Sequence, residues 1–165
     1  MPLYDLLLPE FDQEIQATRS TLERVPDLAT DYKPHEKSRS FALLANHVAG
    51  MPGFLSLILT APSFDLSKPS QQPAPKPTNA QERLASFDLA AATARAELAG
   101  TADRAMHENW KLSSGADTLY NGSRYHAVRS MFFNHLIHHR AQLGVYLRLN
   151  NLPVPATYGA SADEE

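Results

Sequence analysis

A chain of 165 residues can bury one core but is short for two, so a single domain over residues 1–165 is expected. A formal charge of -3 and a pI near 6.1 show no basic excess and argue against nucleic acid as a partner. The chain has no cysteine, which removes disulfides, thiolate ligands and a cysteine nucleophile together; any metal must be held by nitrogen and oxygen.

The absence of cysteine agrees with a reducing cytoplasm, the expected location. The opening MPLYDLLLPEFDQE places Asp5 and no basic residue before its short apolar run, so it does not read as a signal peptide. No apolar stretch reads as long enough to span a membrane, and no membrane partner is expected.

Four helical patterns follow in chain order. From Leu3 to about Val25, Tyr4, Leu8, Phe11, Ile15, Thr18 and Leu22 recur at spacings of three and four, and Pro26 ends the run. A polar loop with Pro34 leads to Ser38 or Ser40, either of which can cap a second helix to about Thr60. Its stripe is Leu43, His47, Met51, Phe54 and Ile58, with Pro52 and Gly53 as a site for a kink. Residues 61–77, APSFDLSKPSQQPAPKP, can hold neither helix nor interior strand and read as a Pro-rich, partly extended crossover.

Thr78 or Asn79 opens a third helix to about Ala99, with Leu84, Phe87, Ala91, Ala94 and Leu98 facing inward. Between Gly100 and Ser123 the period breaks down around turn signals at SSG and NG, which predicts an irregular crossover. Ser123 then opens a fourth helix that Asn150, Asn151 and Pro153 stop, leaving residues 151–165 as a tail whose acidic end reads as solvated and frayed. The fold class is all-α, a four-helix bundle with long crossovers.

The stretch NHLIHHRAQL carries His135, His138 and His139. At about 100° per residue, His135 and His139 lie one turn apart on the inward line. His138 falls near its edge and Arg140 well round the helix. His47 occupies the inward stripe of the second helix. A pair at i and i+4 with a third histidine from a facing helix can form a trigonal face of ligands with one position open. A single inward histidine is more often a hydrogen-bonded core residue, so the residues alone leave both readings open. The zinc-protease pattern is missing its Glu, since Leu136 follows His135. Gln142 and Tyr146 share the histidine face further along, as groups that could support a ligand ring or bound water. Trp110 reads as a core or pocket aromatic. His35, His107, His126 and His138 are set aside as non-ligands, and Asn46 and Asn134 point away.

The segments LLANHVAGM, HENWKLSSGADTL, NHLIHHRAQLGVYLRLNNLPVP and YGASADE resemble the DinB family, the damage-inducible members of a metal-binding four-helix-bundle superfamily distinct from the DNA polymerase of the same name. The resemblance spans nearly the whole chain. It implies a metal triad of one histidine on the second helix and two on the last, carried here by His47, His135 and His139, with zinc or nickel as the divalent ion. It also implies a homodimer, which fits the apolar Phe133, Ile137 and Leu147 expected, with Arg140, on sides away from the triad. Superfamily members include transferases and isomerases that use a low-molecular-weight thiol. The leading expectation is therefore a metal-dependent thiol transferase acting on a small molecule in detoxification or stress. The alternatives are a non-catalytic metal-binding stress protein and a metal-dependent hydrolase; no catalytic residue beyond the ligands is assigned.

Overall fold

The computed structural model describes residues 2–27, 31–68 and 77–164. Residues 69–76 of the Pro-rich crossover and Glu165 of the tail lie outside the described residues. Three long helices form where periodicity places them: α1 (Leu3–Glu23), α2 (Phe41–Thr60) and α3 (Ala80–Gly100). Ser40 caps α2 by accepting from the Leu43 N–H, and Asn79 caps α3 by accepting from Glu82 N–H. The first backbone N–H of α1 is taken up from a distance, by the carboxylate of Asp103 at 2.8 Å. α1 and α2 each pack against α3 and against the last helix, so the four axes enclose one core.

On α2 the core side is set by Phe41, Leu44, Val48, Met51, Leu55 and Ile58, while Leu43, expected inward, is 61% exposed. The inward stripe is therefore rotated from the expected one, and His47 lies at its half-buried margin. By length and composition α2 could cross a membrane, with a mean hydropathy of 1.5, contrary to the expectation that no stretch would. Half of that window is buried inside the fold, where α2 is the helix most enclosed by its neighbours.

The segment expected to be irregular is ordered. A short helix, α4 (Asp103–His107), leads into a hairpin of β2 (Asn109–Ser114) and β3 (Asp117–Ser123). Gly115 opens the two-residue turn with φ of 61°, a conformation that favours glycine there. Asn121 and Gly122, read as a turn signal, lie within β3. Within the Pro-rich crossover, Ser63–Asp65 forms an edge strand, β1, parallel to β2. Trp110 and Leu112 point from β2 into the core while Asn109 and Lys111 face water.

The last helix starts at the Ser123 cap as α5 (Arg124–Ala127), widens into a π-helical turn (Val128–Phe133) and continues as α6 (Asn134–Leu149). The widening shows in the Asn134 N–H bonding to the Arg129 carbonyl five residues back. It ends in a Schellman motif: Asn151 adopts φ of 56°, Leu152 N–H reaches the Leu147 carbonyl at 3.0 Å, and Asn151 N–H reaches that of Arg148 at 3.1 Å. Phe133 and Leu147, expected on outer sides, are fully buried in their own chain, and Ile137 is partly so. The reason is that α1 and α2 cover this helix from two directions.

Two buried arginines hold its start and its middle. Arg124, 6% exposed, donates to the carbonyls of Ile58, Leu59 and Ala61, the last acceptors of α2, and to that of Ala105. Arg140, 4% exposed, pairs at 2.6 Å with Glu14 of α1, itself 4% exposed. The Tyr158 hydroxyl donates to the Glu14 carboxylate at 2.7 and 2.8 Å and accepts from Arg140.

The acidic tail, expected to fray, is a clasp. Asp163 pairs with Arg148 and accepts from the Val154 N–H, and Glu164 pairs with Arg24 and accepts from the Ala156 N–H. Removing one partner of a buried pair strands the other's charge, so Glu14→Ala is expected to destabilise the fold by about 3–5 kcal/mol. Tyr158→Phe removes only a hydroxyl and should cost about 1 kcal/mol. Urea unfolding of both variants measures the difference.

Candidate metal centre

α2 delivers His47, and α6 delivers His135 and His139 one turn apart. One nitrogen from each ring lies within 4.8 Å of the others. His135 Nε2 is 2.8 Å from His139 Nε2 and 3.4 Å from His47 Nε2. All three rings are half-buried, at the margin of the core and not at its centre.

The other ring nitrogens decide what the cluster can hold. His135 Nδ1 lies 3.3 Å from the carbonyl of Met131, which can only accept, so Nδ1 carries the proton. His139 Nδ1 donates to Gln142 Oε1 at 2.8 Å. Both Nε2 atoms are then unprotonated and face each other with their lone pairs, an arrangement that repels unless a cation lies between them. Bond lengths of about 2.0–2.1 Å to a tetrahedral ion would set the nitrogens about 3.3 Å apart. The observed separations surround that value, so the donor set fits a divalent ion. Among the described residues no carboxylate joins the group.

Burial pushes the His47 imidazole down to about 4 from an ordinary 6.5, and the charges of His139, Arg39 and His135 add to the effect. His135 and His139 are also lowered, first by burial; the Met131 and Gln142 hydrogen bonds oppose the shift, and the neighbouring histidines, followed by Arg39, reinforce it. Neutral rings are the form that a metal requires.

A cleft of about 330 Å³ opens beside His139, lined also by Gln142, Tyr146, Leu44, Val145 and the Ser38–Arg39 segment. Gln142 lines the cleft and hydrogen-bonds the His139 ring. Tyr146 lines the cleft, but its hydroxyl donates to the Arg39 carbonyl at 2.9 Å and not to an imidazole. Trp110 is fully buried between Phe54 and Tyr120 and does not line this cleft. His138 is exposed beside His139 and outside the cluster, as are the exposed His35, His107 and His126. Arg39 was not singled out by sequence, because its charge falls in an apparently ordinary polar loop.

The lowered histidines give the metal-free protein a definite pH response. The unfolded chain takes up protons first as pH falls below 6.5, so stability is lost between that value and about 4, and these groups contribute no slope above 6.5. Urea midpoints of metal-free protein at pH about 7 and about 5 should show the loss, and His47→Gln should reduce it.

A comparison with curated protein sequences finds no match. Among solved structures, the chain is similar to a DinB-like protein from Bacillus cereus ATCC 10987, with 18% identity and a TM-score of 0.69 over 92% of this chain and 95% of that one. It is likewise similar to the DinB-like protein YjoA from Bacillus subtilis, with 16% identity and a TM-score of 0.69 over 94% of this chain and 99% of the other. At these identities the likeness carries the fold alone. The family model described as the DinB family matches residues 1–165, the whole length that brings His47 to His135 and His139, and the chain belongs to the DinB family.

Proposed function

We propose that this protein holds a divalent ion, zinc or nickel, on His47, His135 and His139, and uses it to transfer a low-molecular-weight thiol to a small electrophile in cytoplasmic detoxification or stress response. The observation that carries the reading is the convergence of unprotonated ring nitrogens with only three protein ligands among the described residues, beside an open cleft. A structural site is normally closed by four protein ligands. A divalent ion held there would lower the pKa of a thiol that reaches its remaining position, so that the sulfur is nucleophilic at neutral pH. The chain's own residues supply the rest. Met131 and Gln142 fix the tautomers and ring orientations of His135 and His139. Leu44, Val145 and Tyr146 give the approach a largely apolar wall. The absence of cysteine suits a nucleophile that arrives with the cosubstrate.

The homodimer would use apolar side chains other than those the sequence pointed to. Val145 and Leu149, one turn apart on α6, are exposed and open to a second chain. Val145→Glu should then shift the sedimentation of a dimer toward monomer.

His47→Ala, His135→Ala and His139→Ala should each sharply lower divalent-metal content after purification, while His138→Ala leaves it unchanged. Cobalt-substituted protein should develop a sulfur-to-metal charge-transfer band on addition of mercaptoethanol, and His135→Ala should abolish it. A spectrum indifferent to thiol would favour a non-catalytic metal-binding stress protein, or a hydrolase if an activated ester were cleaved.

A further inference from the structure

The triad consists of neutral donors, and no carboxylate joins it among the described residues. A divalent ion held there would keep its full double charge toward the cleft. Arg39, itself exposed, adds another positive charge at the same cleft. The remaining lining is apolar or neutral: Leu44, Val145, Tyr146, Gln142 and Ser38. Positive charge concentrated in a cleft with low-dielectric walls attracts an anion more strongly than the same charge on open surface.

The guanidinium of Arg39 is also free to take one. Among the described residues it has no carboxylate or carbonyl partner, whereas Arg95 is committed to Asp12, Arg140 to Glu14, Arg148 to Asp163, and Arg83 and Arg124 to backbone carbonyls. Its root is fixed, because its carbonyl accepts from Tyr146 of α6 and the next-but-one N–H, of Phe41, donates to Tyr32 at 2.9 Å. A planar guanidinium on an anchored backbone presents paired donors that match a carboxylate.

We propose that Arg39 anchors the carboxylate of a small organic acid in this cleft, whose other end reaches the histidine triad. The inference deepens the reading of the triad as a ligand site and rests on it: at least one molecule that the site takes is an acid with a short apolar body. Arg39 is a binding residue for that acid; no bond is made or broken at it.

The test compares probes matched in size but not in charge on the zinc- and cobalt-loaded full chain. By calorimetry and by the Nε–H signal of Arg39 in nitrogen-15-labelled protein, succinate should bind about tenfold more tightly than succinamide. Arg39→Ala should remove the preference and Arg39→Lys restore part of it, with metal content and circular dichroism unchanged. Equal affinity for the two probes, or a preference that survives Arg39→Ala, overturns the anchor. A second arm compares mercaptoacetate with mercaptoethanol by the cobalt band. Succinate binding that depends on Arg39 without any thiol band removes the thiol reading and leaves the anchor standing. Equal affinity for both thiols with no response to succinate removes the anchor and leaves the thiol reading standing.

Discussion

The position of the last helix depends on two buried arginines, one near each end of the segment that carries the histidines. Arg124 ties the start of this helix to the final carbonyls of α2, and Arg140 ties its middle to Glu14 of α1. His135 and His139 lie between those ties, with His139 next to Arg140 in sequence. A guanidinium buried among carbonyls or against a carboxylate tolerates little sliding, because each lost bond strands a desolvated group. The same contacts that satisfy the arginines therefore bring two imidazoles up to a third on a different helix.

Much of this was readable from residue order. Helix starts at Ser40, Asn79 and Ser123 follow from side chains that accept from the first turn, a local interaction that sequence spacing exposes. The spacing of His135 and His139, with His47 on a facing helix, was readable for the same reason. The small sheet was not. Its strands are short, and β1 reaches β2 across a long separation in sequence. The alternation in NWKLSS, with Trp110 and Leu112 inward, was the available signal, but it was masked by neighbouring turn residues.

Errors in facing have a single physical origin. Uniform rotation at 100° per residue treats every apolar stripe as core, yet a residue serving a cleft belongs at the core's edge. His47 is half-buried beside His139, which does line the cleft, and Leu43, one turn earlier, is carried outward with it. Likewise Glu14 and Arg140 read as solvent-facing by type, and only their tertiary pairing, closed by Tyr158 from the tail, makes their burial tolerable. A tail that supplies part of a buried network is held by that network. Its order was invisible to composition, which records acidic residues but not the arginines waiting for them.

The π-helical turn has a consequence for how this chain can change in length. Its wider winding accommodates one residue more than an α-helical turn would, between Arg124 on one side and the histidines on the other. Deleting a single residue from Val128–Phe133 would let the turn close to α winding with both flanks near their present phase, whereas rewinding the whole turn as α, or inserting one more residue, would rotate one flank against the other by about 100°. Arg124 and the imidazoles could not then both be seated. Substitutions in this turn are limited by volume, as at Phe132 and Phe133, whereas its residue count behaves as a gear setting that meshes one end of the helix with the other.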